Sequence, residues 1–202
     1  MRLVGIVGGV ASGKSTVANC LKEQGAVVLD ADAAGHETLR LPNVIAALRQ
    51  RWGDGILDAA GQINRSAVAK IVFAASGIEE KRFLESVTHP HIHDLLKRRL
   101  TELKHVGGAH AAILDAALLF EAGWDNLCDF VLFVETPRAQ RLERARTRGW
   151  SEADFVAREA AQMSLDEKRR RCGFVIDNSG HPDQTRQQVR EFWRLNIGPT
   201  DH

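Results

Sequence analysis

Five short apolar runs predict five β-strands, because they are rich in leucine and β-branched residues. Their apolar positions are continuous and do not alternate, which is typical of strands buried on both faces of a parallel sheet. Helical stretches separate the strands, so the order of elements favours a doubly wound α/β fold with helices flanking the sheet. The predicted strands are Leu3–Val7, Ala26–Leu29, His110–Leu114, Phe130–Val134 and Gly173–Ile176. The predicted helices around them are Gly13–Gln24, Ala139–Arg148, Ser151–Met163 and Pro182–Leu195.

Two segments are longer than a simple crossover between strands requires. Residues 32–104 predict an inserted helical subdomain with helices at Asn64–Ala75 and Glu79–Lys104, and Pro90 is expected to break or kink the second helix at or near His89. Residues 137–171 are rich in arginine and poor in apolar side chains, which suits a mobile helical lid. We therefore expect one domain whose core comprises residues 1–31, 105–136 and 172–202, with the insertion and the lid attached to it.

The bulk composition excludes several classes of function. With 202 residues, 44% of them hydrophobic, the chain supports one compact core, and a formal net charge of +1 gives no electrostatic reason to expect a nucleic-acid or membrane partner. The apolar N-terminal run is too short for a signal peptide, and no run approaches the ~20 residues of a membrane span. Cys20, Cys128 and Cys172 are widely separated and form no Cys-x-x-Cys pair. We expect a soluble, cytoplasmic protein with reduced cysteines.

The segment from Gly8 to Ser15 matches the pattern G-x-x-x-x-G-K-[ST] between a predicted strand and a predicted helix. In this setting the backbone N–H groups and the positive end of the helix dipole hold a polyphosphate. Lys14 supplies a cation for the β- and γ-phosphates, and the Ser15 hydroxyl is a hard oxygen ligand for Mg²⁺. The sequence thus predicts a P-loop NTPase fold that binds ATP or GTP. The residues expected to bind the nucleotide here are Gly8, Gly9, Ala11, Ser12, Gly13, Lys14, Ser15 and Thr16.

Carboxylates follow several of the predicted strands, at the edge of the sheet where ligands bind in open parallel folds. Asp30 and Asp32 follow the second strand, and either could orient and deprotonate an attacking hydroxyl. We prefer Asp32 as this catalytic base, with Asp30 and a simple helix-capping role as the alternatives. Asp115 ends the third strand, where it either lies near Mg²⁺ or only caps the strand.

Basic residues recur through the lid segment. Arg141, Arg144 and Arg148 follow a helical spacing, and Arg158 lies on the next helix, so their guanidinium groups either stabilise a transferring phosphoryl group or form a solvated face. The run Lys168–Arg171 is interpreted as solvated or phosphate-facing, because no aromatic residues accompany it. The cluster His89, His91 and His93 lies in a segment that looks helical, which favours a substrate-binding or structural His89 over a metal ligand.

Taken together, these motifs resemble the dephospho-CoA kinase family over almost the whole chain. The matching pieces are the phosphate loop, Val28–Asp32, Asn64–Arg65, Thr88–Pro90, Leu118–Glu121, Arg144 and Arg148, Gln162, Lys168 and Val175–Gly180. The resemblance implies a three-part fold that transfers the ATP γ-phosphate to the ribose 3′-hydroxyl of dephospho-CoA, with Mg²⁺ as cofactor. Another nucleotide or small metabolite is the alternative acceptor. A GTPase-type switch is disfavoured because no Asn-Lys-x-Asp element is present.

The resemblance also assigns roles to single residues. Asp32 becomes the base, and Arg65, His89 and Glu121 become candidates for binding the acceptor. Arg144 and Arg148 become lid arginines that bind ATP, with Arg144 also catalytic alongside Lys14, and Asn178 falls near the adenine. The sequence departs from the family pattern at Ala11, which replaces a glycine, and at Ala117, which replaces a proline. The extra methyl group is expected to be harmless if Ala11 has a negative φ and its N–H stays free.

Overall fold

The computed structural model describes residues 1–74, 77–116 and 118–198. Ala75, at the end of one predicted helix, and Ala117 lie outside the described residues. The chain forms two compact units, the first comprising Met1–Asp30 with Leu100–His202 and the second comprising Ala31–Arg99. Within the described ranges, no helix combines the length and the apolar character that crossing a membrane would require.

The first unit contains a five-stranded sheet in which every neighbouring pair is parallel, with the order β2-β3-β1-β4-β5. This confirms the predicted parallel sheet, and each strand lies within about one residue of its predicted position. The order places β1 at the centre of the sheet. The loop that follows β1 therefore lies at the middle of the carboxyl edge, where open parallel sheets bind ligands. The strands are β1 (Arg2–Gly8), β2 (Val27–Asp30), β3 (Ala111–Asp115), β4 (Phe130–Glu135) and β5 (Phe174–Asp177).

The helices agree with the sequence pattern wherever that pattern is strongly amphipathic. Three short helices, α2, α3 and α8, were missed. Pro90 lies inside α5, which continues past it, so Pro90 does not break the helix. A kink at or near His89, the other outcome expected there, stays a prediction. The helices are α1 (Lys14–Glu23), α2 (Ala31–Thr38), α3 (Pro42–Trp52), α4 (Arg65–Val72), α5 (Ile78–Val106), α6 (Arg138–Arg146), α7 (Glu152–Ala160), α8 (Leu165–Arg171) and α9 (Pro182–Asn196).

The core of the first unit lies between the sheet and the helices α1 and α9. Leu21 of α1 and Val189 of α9 are fully buried against Ile6 of β1 and Leu132 of β4. Along each strand, alternate side chains point toward α1 and α9, and the side chains between them point to the opposite face of the sheet. Because protein interiors are close-packed, this core fixes the positions of the strand ends and of the residues that follow each strand.

The second unit has its own small core, built from α3, α4 and the start of α5. Leu48, Ile56 and Val68 are buried at its centre. At its edge Glu80 accepts hydrogen bonds from Arg51 and from the Trp52 indole, and these bonds lower the pKa of Glu80 to about 2. The unit is therefore held by its own hydrophobic cluster and polar contacts.

Candidate active site

The loop between β1 and α1 requires glycine at two positions. Gly13 precedes α1 with φ of +91°, in the left-handed region, and a Cβ atom there would overlap the side-chain amide of Asn178. A Cβ atom on Gly8 would lie 2.7 Å from the carbonyl oxygen of Val134, which is too close for two heavy atoms. The loop backbone consequently lies against β4 and Asn178, and this contact holds the first turn of α1 in position.

Ala11 has φ of +58°, so the condition under which its methyl group was expected to be harmless does not hold. Among the described residues it is the one non-glycine residue with positive φ. The left-handed conformation costs an alanine roughly 1 to 2 kcal/mol. Ala11 is 7% exposed and packs in a cluster with Val10, Ala145 and Phe155, so burial offsets part of this strain. The phosphate loop is thereby packed against α6 and α7.

We predict that Ala11→Gly changes the free energy of unfolding by less than about 1 kcal/mol, because the lost methyl contact and the added freedom of the unfolded chain are offset by release of the strain. Ala18→Gly is the matched control, since Ala18 is also 7% exposed but lies inside α1. Without strain to release, the control should be less stable than Ala11→Gly by about 1 to 2 kcal/mol in urea unfolding. Equal destabilisation by the two substitutions would show that Ala11 is not strained.

Lys14 begins α1 and is surrounded mainly by positive charge. Its ammonium donates to the Gly9 carbonyl at 3.4 Å. Burial lowers the pKa of Lys14, Lys168 lowers it next, and Arg148 and Arg141 lower it further, while Asp115 raises it. Lys168 and Arg141 are paired with Glu121 and Glu159, and Lys14 and Arg148 add positive charge at the loop, which would attract a polyphosphate.

Two carboxylates lie side by side at the edge of the sheet next to this loop. Asp30 and Asp115 are register partners at the ends of β2 and β3, so their side chains leave the same face of the sheet. Asp115 acts on the pKa of Lys14, so it lies within electrostatic range of the loop, and Ser15 is exposed in the first turn of α1. A hydroxyl and a carboxylate are the hard oxygen donors that suit Mg²⁺, which commonly takes its other ligands from phosphates and water. In the described part of the chain no three His, Cys, Asp or Glu side chains cluster as a metal site.

Asn178 and Arg144 hold the loop from its far side. The Asn178 amide donates to the Ser12 carbonyl at 2.8 Å and accepts from Thr185 at 3.0 Å. Arg144 donates to the same Ser12 carbonyl at 3.1 Å and to the Asn178 carbonyl at 2.8 Å. Both predicted nucleotide-binding residues therefore lie at the loop, and both are bonded to protein atoms there. Arg148 is exposed just beyond α6, within electrostatic range of Lys14.

Arg141 is buried, so the solvated interpretation is wrong for this residue. The residue is 3% exposed, and its guanidinium donates to Glu159 at 2.6 Å and to the carbonyls of Thr136 and Val10. It therefore joins α6, α7, the end of β4 and the phosphate loop. These contacts stabilise the conformation of the loop. Removing the Glu159 carboxylate would leave the buried guanidinium charge uncompensated.

Glu121 pairs with the buried Lys168, with 3.2 Å between the ammonium and the carboxylate. Lys168 is 2% exposed, so the solvated interpretation is wrong for this residue of the basic run. Glu121 also accepts from the Met163 N–H at 2.9 Å. Burial acts to raise the pKa of Glu121, but the Met163 hydrogen bond and the Lys168 charge lower it overall. Glu121, expected to bind the acceptor, thus contacts the turn between α7 and α8.

The other three candidates belong to the second unit. Asp32 is exposed in the first turn of α2, two residues after the end of β2. Arg65 is exposed at the start of α4, which Asn64 caps by accepting from the N–H groups of Ser66 and Ala67. His89 is half-buried within α5, where burial lowers its pKa. The helical setting predicted for the three neighbouring histidines is confirmed.

The buried roles of Arg141, Glu159 and Lys168 were missed from the sequence. Charged residues interleaved along a helix look solvated unless their partners on other elements are known. The available signal was the resemblance itself, which included Gln162 and Lys168 among its matching residues. In the structure these two side chains are in contact, at 3.3 Å.

A Gly-rich loop that carries Lys14 and Ser15, at the end of the central strand of a parallel five-stranded sheet, defines a P-loop NTPase. The family model described as dephospho-CoA kinase matches residues 2–184. A dephospho-CoA kinase of Symbiobacterium thermophilum is 42% identical over 204 residues, covering 98% of this chain and 82% of the relative. That of Geobacter sulfurreducens is 40% identical over 196 residues, covering 96% and 98%. The chain belongs to the dephospho-CoA kinase family.

A solved structure supports the same fold over the full length. The crystal structure of TT1252 from Thermus thermophilus superposes with a TM-score of 0.79 at 33% identity, covering 98% of each chain. The similarity therefore includes both compact units and is not restricted to the phosphate loop.

Proposed function

We propose that this protein phosphorylates the ribose 3′-hydroxyl of dephospho-CoA with ATP, giving coenzyme A and ADP. The observation that carries this proposal is the family match over residues 2–184, which spans the phosphate loop and the second unit alike. In the reaction the acceptor oxygen forms a bond to the γ-phosphorus, the bond from this phosphorus to the bridging oxygen of ADP breaks, and the acceptor hydroxyl loses a proton.

The phosphate loop supplies most of the electrostatic stabilisation in this proposal. Its N–H groups and the N-terminus of α1 hold the phosphates, and Lys14 neutralises charge on the β- and γ-phosphates. Gly8, Gly9, Ala11, Ser12, Gly13 and Thr16 provide the backbone around them. Arg148 adds positive charge near the transferring group, and Arg144 keeps the loop and Asn178 together through its two carbonyl contacts.

Mg²⁺ fits the oxygen donors at the edge of the sheet. The Ser15 hydroxyl and the Asp115 carboxylate would hold it, either directly or through water. When bound, the ion neutralises phosphate charge and favours the loss of ADP. Asp30, the register partner of Asp115, belongs to the same acidic edge.

Asp32 is the proposed base, which accepts the proton of the acceptor hydroxyl. Arg65 and His89, both in the second unit, are the proposed contacts for the acceptor. Burial lowers the pKa of His89, so the imidazole is neutral at physiological pH and suited to hydrogen bonding. We propose dephospho-CoA as a small-molecule partner, no nucleic-acid or membrane partner, and a cytoplasmic location.

The test is a panel of acceptors assayed for ADP release from ATP and Mg²⁺. We expect turnover with dephospho-CoA and a background at least about 10²-fold lower without it, because the reaction needs a positioned hydroxyl. Adenosine, a nucleoside monophosphate and a small alcohol serve as competing acceptors. A better rate with any of these would replace dephospho-CoA as the substrate. Tight GTP binding with no acceptor-dependent turnover would indicate a nucleotide-dependent switch.

A further inference from the structure

Lys168 is an almost fully buried cation that no role assigned so far explains. Its ammonium lies 3.2 Å from Glu121 and 3.3 Å from the side-chain oxygen of Gln162. Burying a lysine is unfavourable unless it is paired, so these two contacts are what keep the charge inside the protein. The three side chains come from different segments: the loop after β3, the turn after α7, and α8.

Lys168 lies beside the phosphate loop. Gln162, which accepts from the Lys168 ammonium, lines a small cavity together with Gly9 and Val10 of that loop. The Lys14 ammonium donates to the Gly9 carbonyl at 3.4 Å. The two ammonium groups are therefore held near the same residue of the loop.

Two ammonium groups held near each other repel, and this repulsion is relieved when an anion binds between or beside them. We propose that Lys168 is a positioning residue of the phosphate site, held by Glu121 and Gln162 so that its charge reinforces that of Lys14 on the nucleotide phosphates. Lys168 acts through the electric field and through Lys14, without itself being part of the phosphate loop. The proposal rests on the proposed function only in taking the nucleotide to be ATP.

A field effect scales with the charge of the ligand, whereas a structural defect does not. We expect Lys168→Gln to weaken binding of ATP about tenfold, of ADP less, and of AMP by less than about twofold. Lys168→Arg keeps the charge and should restore ATP binding to within about threefold of the wild type. Loss of the local fold around α8 would instead weaken binding of all three nucleotides by a similar factor.

Glu121, the ion-pair partner of Lys168, provides a control in which ATP affinity should not fall. Glu121→Gln keeps an oxygen that accepts from Met163 and Lys168 but removes the negative charge. If the field is what matters, this variant binds ATP as well as the wild type or up to about threefold more tightly. If the ion pair is only a structural strut, Glu121→Gln and Lys168→Gln should weaken ATP binding alike.

The experiment is isothermal titration of ATP, ADP and AMP into the full-length wild type and the three variants, with urea unfolding of each as a check of folding. No acceptor is present, so a failure here is distinct from a failure of wild-type turnover with dephospho-CoA. The expected result is a loss ordered by phosphate number for Lys168→Gln and none for Glu121→Gln. Uniform losses, or parallel losses in both variants, would overturn the proposal. If Lys168→Gln does not fold, ATP binding by Glu121→Gln that is as tight as wild-type binding or tighter supports the proposal, and weaker binding refutes it.

Discussion

Replacing Lys14 by alanine is expected to lower kcat/KM for ATP by about 10³-fold or more. Removing one preorganised donor from a phosphoryl or oxyanion site typically costs 10² to 10³, and Lys14 also carries a full charge at the β- and γ-phosphates. Steady-state kinetics with ATP, Mg²⁺ and dephospho-CoA measures this loss. Titration with ATP alone should show weaker binding, because the same charge holds the ground-state phosphates.

The same substitution should not destabilise the empty protein. Because its pKa is lowered on folding, the charged form of Lys14 is disfavoured in the folded state, and this penalty disappears as the pH rises from below the folded pKa toward the unfolded value of 10.5. Lys14→Ala should therefore unfold at the same or a higher urea concentration at neutral pH. Lys22→Ala, an exposed lysine near the end of α1, is the matched control and should leave both activity and stability unchanged. A Lys14→Ala enzyme with near-normal turnover would exclude the loop as the phosphate-donor site.

The sheet was predictable because its signals are local. Each strand is a continuous apolar run, and a run buried on both faces is visible without knowing its neighbours. The short helix α8 was missed because its sequence, Leu165–Arg171, has one apolar residue and no periodicity. The helix around Pro90 was predicted, but the break considered there does not occur. Buried Ile92 and Leu96 continue the packed face beyond the proline, so tertiary contacts outweigh the local preference for a break.

The candidate site also has features that the sequence predicted and features that depend on contacts between elements. The position of the phosphate loop and of Lys14 was predictable from spacing alone, since G-x-x-x-x-G-K-[ST] after a strand places the glycines, the lysine and the hydroxyl. The φ of Ala11 was not, because a residue type does not reveal that α6 and α7 supply a partner for its methyl group. Likewise Arg141 and Lys168 are buried only because Glu159 and Glu121, from other elements, neutralise them. Charge identity is in the sequence, but desolvation depends on the folded surroundings.

The choice between Asp30 and Asp32 stays a prediction that mutation tests directly. Asp30 ends β2 as the register partner of Asp115, which suits a place in the acidic edge proposed for Mg²⁺. Asp32 lies beyond the strand, in the first turn of α2, where its carboxylate is exposed and not tied to the sheet. A base must approach the acceptor hydroxyl, whereas a metal ligand must stay with the phosphates, so the two positions suit different roles.

Asp32→Asn is accordingly expected to lower kcat by 10² to 10⁴, the usual contribution of a general base, while the affinity for ATP stays within about threefold of the wild type. The substitution preserves shape and hydrogen bonding but removes the group that accepts the proton. Single-turnover rates at saturating ATP and dephospho-CoA isolate this chemical step from binding. Asp30→Asn is the matched variant, and its loss should shrink as the Mg²⁺ concentration rises, because a weakened ion site is refilled by mass action. If Asp30→Asn instead loses kcat at every Mg²⁺ concentration and Asp32→Asn does not, Asp30 is the base.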